Sequence, residues 1–393
     1  MKVLHVIATL AAEGGGPSEA VRQLVSSYPD YGAAAEIVTQ DEPSSALLSR
    51  FPVPVHALGG RKNVYGYSPE LLHWLKENVG RFDAVVINGL WTYTSLAAAI
   101  ATGHRIPHVV FCHGMLDPWF NRQYPLKRLK KAVYWPLQYW VLRNADAVMF
   151  TSPAERDLAP QSFWPNKWNA VVTPYGTSEP PANLEDQRRA WDAHLPALRG
   201  RRYLLFLSRI HEKKGCDLLV EAFGRLASRY PDVDLVIAGP DQQGLQSRLQ
   251  AQAESLGIAG RVHWPGMLTG DLKWGAVRGC EAFILPSHQE NFGIVVAESL
   301  ACGRPVLISN QVNIWPDIAE DRVGFVAPDT LEGTQELLTR WLSLDESQRV
   351  EMADRAHSTF VNRFSMASAA RLLVSLFDGF LKNAKNGHAK KKA

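Results

Sequence analysis

PSHQENFGIVVAESLACGRP, running from Pro286 to Pro305, decides how the chain folds. Just before it, Ala282 to Leu285 form an apolar run that suits a short buried strand. After Asn291, Phe292 and Gly293, apolar residues recur with helical spacing from Ile294 to Ala301. A strand that passes through a glycine turn into a helix is the repeating unit of a parallel sheet. Glu290 and Glu298 stand on either side of the turn, and if both were helical roughly 12 Å would separate them along the axis. Between them lie the N–H groups of a helix N-terminus, a natural seat for a diphosphate.

The same rhythm extends in both directions. Strand-like runs lie at Val3–Ile7, Ala35–Val38, Ala84–Ile87, His108–Cys112 and Ala147–Thr151, with helical patterns such as Ser18–Ser27 and Pro69–Val79 between them. Pro174 to Pro181, PYGTSEPP, is turn-rich and reads as a linker. A second alternation follows, with strands at Tyr203–Leu207, Asp234–Ala238, Val262–Trp264, Ala282–Leu285 and Val306–Ile308. Helical patterns at Leu331–Ser343, Gln348–Asn362 and Met366–Leu381 close the chain. The expected fold class is α/β: two doubly wound, Rossmann-like domains in tandem, facing across a cleft, with ligands at the carboxyl ends of the strands. The expected boundaries are 1–176 for the first domain, to which a helix over 364–383 returns, and 177–363 for the second. Residues 384–393 read as a disordered basic tail.

Composition narrows the function classes. With 42 basic and 39 acidic residues the formal charge is +3, too small to argue for nucleic acid. Four scattered cysteines, none in a C-x-x-C pair, suit reduced thiols in a cytosolic protein. The start MKVLHVIATL reads as a first buried strand rather than a signal peptide, because no A-x-A pattern precedes a polar mature start.

Chemistry-bearing residues gather in loops after strands. FLSRIHEKKG, Phe206 to Gly215, places Arg209 and Lys214 beyond a strand end, where a guanidinium fork and a point charge could both meet phosphate. Glu13-Gly14-Gly15-Gly16-Pro17 follows the first strand and lets backbone approach a ligand closely. It is not G-x-G-x-x-G, so a dinucleotide fingerprint is absent. Asp232-Val233-Asp234 has metal-site spacing but precedes its strand, at the wrong end of the sheet, and is expected to be a surface loop. His104, His108 and His113 do not make a metal site, because His108 and His113 would point to opposite faces of a strand. No metal and no cofactor are expected.

HEKKG, the loop from Gly260 to Met267 and LPSHQENFGIVVAESLACGRPVLIS resemble the retaining family-4 glycosyltransferases of the GT-B fold, a likeness that covers most of the chain. The resemblance implies a nucleotide-sugar donor as substrate. It implies that Glu298 binds the donor ribose, that Glu290 contacts hydroxyls of the donor sugar, and that Asn291, Phe292, Gly293 and Ile294 present backbone N–H groups. Gly266 and Met267 would meet the nucleobase. Gly15 and Gly16 would lie beside the diphosphate, and His113 would touch the donor sugar or its phosphate. Glu290, Arg209, Lys214 and His113 are the expected catalytic set. HGMLDPW and SNQVNIW look most like transferases of bacterial polysaccharide assembly. The implied donor is GDP-mannose or a UDP-sugar, and the implied acceptor a glycan or lipid-linked glycan.

Residues 119–146 hold six basic residues against one acid, with seven aromatics. Two readings stand: a helix that lies on an anionic membrane surface, or an outer helix whose apolar stripe packs on the first sheet. Pro136 is expected to divide the segment into two helices. The first reading places a cytoplasmic protein at the inner face of the cytoplasmic membrane. Two other functions compete with sugar transfer. A nicotinamide-dependent dehydrogenase lacks its glycine fingerprint and leaves the two glutamates unexplained. A silent glycan-binding module of the same fold would have no need of the filled catalytic positions.

Overall fold

The computed structural model describes residues 1–11, 16–45, 48–60, 65–103, 105–173, 176–241 and 244–390, the last eight by their backbone alone. The chain divides into two compact units, one of residues 1–176 with 366–393 and one of residues 177–365.

The first unit is built on seven strands: β1 (Lys2–Ile7), β2 (Ala34–Thr39), β3 (Val55–Ala57), β4 (Ala84–Asn88), β5 (His108–Phe111), β6 (Ala147–Phe150) and β7 (Ala170–Val172). They pair in parallel in the order β3-β2-β1-β4-β5-β6-β7. Alternation along β1 sends Leu4 and Val6 to one face and Val3 and Ile7 to the other, and each face has its own core. Buried positions that are apolar on both faces mark an interior parallel strand. Helices Pro69–Asn78, Tyr93–Thr102 and Pro125–Asn144 line one face. The other is lined by Gly16–Ser27 and by the C-terminal helix Met366–Lys390, whose Met366, Ala370, Leu373 and Phe377 pack with Val21, Leu24 and Tyr28.

The second unit has six strands: β8 (Arg202–Leu207), β9 (Val233–Ala238), β10 (Val262–Gly266), β11 (Ala282–Leu285), β12 (Val306–Ser309) and β13 (Gly324–Ala327). Their order is β10-β9-β8-β11-β12-β13, again all parallel. The chain winds outward from β8 to β10, then returns to β11 beside β8. The carboxyl ends of β8 and β11 therefore flank a topological switch point, the place where open α/β sheets bind ligands. In the first unit β1 and β4 hold the equivalent relation.

Four expectations change. Pro136 does not break its segment: Pro125–Asn144 is one 20-residue helix with Pro136 inside it, and the division falls at Tyr124, before Pro125. Pro125 sits at the first helical position, where its missing N–H costs nothing. The expected disordered tail is helical through Lys390, as a continuation of the helix that begins at Met366, and 391–393 lie outside the described residues. Asp234 is no surface loop residue. It lies on β9, buried, with Arg201 and His263 as its partners. Finally, Leu126, Leu129 and Val133 do not pack on the first sheet. They are 81%, 68% and 77% exposed, while Trp135, Gln138, Val141 and Leu142 bury the helix.

Candidate active site

Lys214 ends the loop after β8, and Gly215 follows it with φ +67°. A Cβ at Gly215 would meet the Pro286 carbonyl oxygen at 2.2 Å, so only glycine lets the β8 loop close on the β11 loop. Backbone hydrogen bonds join the two loops, the His288 N–H donating to the Lys213 carbonyl at 2.8 Å. The result is a buried Lys214 ammonium lying against the Glu290 carboxylate. Burial pushes the Glu290 carboxyl up, but the Lys214 charge and hydrogen bond outweigh it. The net direction is below the usual carboxylate range.

Glu290 does not lie on the helix, contrary to the spacing estimate. The helix Ile294–Ala301 begins four residues later, and Glu290 forms a β-bridge with Val312. Its N–H donates to the Gln311 carbonyl and its carbonyl accepts from the Asn313 N–H, both at 3.0 Å. The SNQVNIW segment therefore clamps the glutamate in place. Gly293, at φ +72°, turns the chain into the helix. Asn291 donates its N–H to Glu290 Oε1 at 3.0 Å and accepts from Asn313 Nδ2 at 3.3 Å. Phe292 places its side chain in the core, edge-on to Phe364. Ile294 opens the first helical turn, where N–H groups have no helical acceptor.

Glu298 is buried within the helix, and Lys273 Nζ donates to its Oε1 at 2.5 Å. Sequence reading missed Lys273, which comes from the separate helix Gly270–Gly279. Gly266, at φ +72°, ends β10 where the register shifts, and it accepts from the Gly239 N–H at 2.8 Å. Met267, next to it, is 65% exposed. Arg209 is exposed in the loop after β8. The second unit thus brings Lys214, Glu290 and Asn291 into direct contact around one switch point. Glu298 with Lys273 forms a separate pair.

In the first unit, Glu13, Gly14 and Gly15 lie outside the described residues, as does His104. Gly16 is the first residue of its helix. The approach to the glycine loop is anchored by Asp41, which accepts from the Leu10 N–H at 2.6 Å and from Thr9 Oγ1. His113 follows β5 with φ +49°, a left-handed conformation that costs free energy in a non-glycine residue. The next residue, Gly114, donates its N–H to the buried Glu155 carboxylate at 2.7 Å, and Glu155 also accepts from the Thr151 N–H at 2.7 Å. Glu155 thus fixes the turn that presents His113. Its sequence context, S-x-x-E before a helical run, advertised only a helix start. His113 Nε2 lies 3.2 Å from Asn88 Oδ1 at the end of β4. Asn88 Nδ2 lies 3.4 Å from His5 Nδ1, and His5 Nε2 lies 2.9 Å from the Tyr28 hydroxyl. Burial pushes the His113 imidazole down to about 4, and burial followed by the His113 charge takes His5 to about 3. Both rings are neutral at pH 7.

Comparisons with known proteins agree with this architecture. Residues 187–359 match the model of the glycosyl transferases group 1 family, and residues 15–176 match the glycosyl transferase 4-like domain. A D-inositol 3-phosphate glycosyltransferase of Paenarthrobacter aurescens is 26% identical over 351 residues, which take in 80% of this chain and 81% of the relative. A mannosylfructose-phosphate synthase of Agrobacterium fabrum is 23% identical, over 79% of this chain and 75% of its own. Among solved structures, Anabaena HepE in complex with UDP and glucose superposes with a TM-score of 0.76 at 19% identity, covering 96% of this chain and all of that one. Sucrose-phosphate synthase from Thermosynechococcus elongatus gives 0.76 at 18%, over 98% of this chain and all of that one. The dehydrogenase and silent-module readings have no support among these matches. With the two family models together taking in most of the sequence, the chain belongs to the group 1, family-4-like glycosyltransferases and has the GT-B fold.

Proposed function

We propose that the enzyme transfers a hexosyl group, with retention of configuration, from a nucleoside-diphosphate donor to a glycan or lipid-linked glycan in polysaccharide assembly. The observation that carries this reading is the Lys214–Glu290 pair at the adjoining carboxyl ends of β8 and β11, beside the first turn of the helix Ile294–Ala301. Breaking a bond from an anomeric carbon to a diphosphate builds negative charge on the phosphate and positive charge on the ring. Lys214, Arg209 and the helix amides meet the first, and Glu290 sits on the ring hydroxyls. Glu298 takes the ribose, and Gly266 and Met267 the base. The family likeness supports a contact of His113 and the loop ending at Gly16 with the sugar and its phosphates.

Preorganised donors of this kind supply about 3–4 kcal/mol each to the transition state. With two cations and a helix N-terminus aimed at the leaving group, the step runs without a divalent metal. In the front-face route the bond from the anomeric carbon to phosphate breaks while the acceptor oxygen bonds on the same face, and the leaving phosphate takes the acceptor proton. Both UDP- and GDP-hexoses fit this scheme. UDP is the nucleotide in the HepE complex. The test is to incubate the protein with UDP-, GDP-, ADP- and dTDP-hexoses and candidate acceptors, follow nucleoside diphosphate release, and determine the product anomer by NMR. The reading predicts one nucleotide class turned over with retention. Release from none of them, or an inverted product, contradicts it.

A second observation favours a membrane-surface location. Leu126, Leu129, Val133, Leu137 and Trp140 form an exposed apolar stripe along Pro125–Asn144, beside Lys127, Arg128 and Lys130, and the helix contains no acid. That combination suits a helix lying in the interface of an anionic bilayer. Among the described residues no helix is long and apolar enough to cross one.

A further inference from the structure

The amino ends of the second sheet hold a pocket of about 520 Å³ to which sequence reading assigned nothing. It lies around the start of β8, with Leu198, Gly200, Arg201 and Tyr203 in its wall, whereas Lys214 and Glu290 follow the carboxyl ends of their strands. Its volume falls in the range of sites for small organic ligands. Four arginines line it: Arg188, Arg201, Arg278 and Arg304. Two are neutralised, Arg201 by Asp234 at 2.6 Å and Arg188 by Glu185 at 2.7 Å.

Arg278 and Arg304 are different. Arg278 spends its Nε on Gln187 Oε1 at 2.9 Å and one terminal nitrogen on the Pro181 carbonyl at 3.3 Å, neither of them an acid. The Nε of Arg304 is buried with no hydrogen-bond partner among the described residues. A guanidinium drawn partly out of water with an N–H unmet is an unfavourable arrangement unless a ligand completes it.

Both arginines also stand near electronegative helix ends, Arg278 in the last turn of Gly270–Gly279 and Arg304 three residues beyond Ile294–Ala301. Each helix end carries about half a negative charge. Two ends therefore offset about one of the two guanidiniums. Asp192 also stands in the wall, where with Glu185 it flanks Arg188, at 3.8 Å. Among the described residues neither Arg278 nor Arg304 has an acidic partner, and both line a ligand-sized pocket.

We propose that this pocket is a second ligand site, which binds a compact phosphorylated small molecule through Arg278 and Arg304, with Trp191 and Tyr203 as its aromatic wall. Two guanidinium forks match the tetrahedral oxygens of a phosphomonoester. The site is separate from the candidate donor site and does not depend on its assignment.

The test is calorimetric titration of the full-length protein with phenyl phosphate, for wild type, Arg304→Gln, Arg278→Gln and Lys214→Met. The wild type binds one equivalent, each arginine variant binds at least about tenfold more weakly, the loss expected for one charge-assisted hydrogen bond, and Lys214→Met binds like wild type. A second measurement on the wild type avoids any folding defect. Inorganic phosphate protects Arg278 and Arg304 from modification by phenylglyoxal, read by peptide mass spectrometry. No binding to the wild type, binding lost with Lys214→Met but kept in the arginine variants, or equal labelling with and without phosphate each overturns the proposal.

Discussion

The Lys214 ammonium and the Glu290 carboxylate, 76 positions apart in the chain, form a buried ion pair where β8 and β11 end side by side. Parallel topology explains the meeting: two strands adjacent in the sheet bring their following loops together whatever the sequence separation. Desolvating two charges costs several kcal/mol, so such a pair is weak evidence for stability alone. Its place at a switch point favours a role in ligand chemistry.

Glu298→Gln weakens binding of the productive nucleotide about tenfold or more, because a charge-assisted bond to a hydroxyl is lost. Turnover at saturation changes less. Lys273→Met, which removes the partner at 2.5 Å, has a smaller effect in the same direction. Titration of the nucleoside diphosphate beside kcat measurements checks both. Unchanged affinity with depressed kcat would remove Glu298 from the ribose.

Gly215→Ala destabilises the second unit by about 3 kcal/mol or more, because the new methyl group meets the Pro286 carbonyl in a left-handed backbone. Gly244→Ala is the control, since it also has φ +69° yet a Cβ there meets none of the described residues within 4 Å. Thermal melts of the two variants separate steric closure from backbone strain. Equal losses would show that the close approach of the two loops is unimportant.

Stability falls as pH drops from 6.5 towards 4. His5 and His113 keep folded values of about 3 and about 4 against an ordinary 6.5, so in this window the unfolded chain binds protons that the folded chain refuses. The contribution is complete above pH 6.5, and each imidazole adds a slope of at most about 1.4 kcal/mol per pH unit as it is lost. Glu36 and Asp234, both held below the usual carboxylate range, add a loss of the same sign once pH falls past their ordinary values. Urea midpoints at several pH values for wild type and His113→Gln should show a shallower slope in the variant. Equal slopes would mean that the His113 ring is not buried in solution.

The wild-type protein sediments with phosphatidylglycerol vesicles at low salt and is largely released at high salt. Leu129→Asp with Val133→Asp loses about tenfold or more in partitioning, since apolar area leaves the interface and like charge enters it. Both positions are exposed, so the melting temperature stays close to that of the wild type. Equal sedimentation of the variant, or no binding by the wild type, argues against the membrane reading.

Much of this arrangement was legible because parallel strands advertise themselves as apolar runs bounded by turns. Ile294–Ala301 and Ala282–Leu285 match the pattern residue for residue. The short edge strands β3, β7 and β13 carry three or four residues each, too few for periodicity to speak. Pro136 misled because a proline breaks a helix in isolation, whereas this one lies in a helix held by Trp135, Gln138, Val141 and Leu142. Supporting residues escaped for a different reason. Lys273, Glu155 and Asn313 act through contacts between segments 22 to 41 positions apart, and each sits in an ordinary local context.

Steady-state turnover and nucleoside diphosphate affinity of Glu290→Gln, measured side by side with wild type on the productive nucleotide sugar, test the central claim most directly. The account predicts kcat lower by about 10² to 10³, the cost of one transition-state contact, with nucleotide affinity within a few fold of wild type. Wild-type turnover in this variant would place Glu290 outside the reaction and contradict the account.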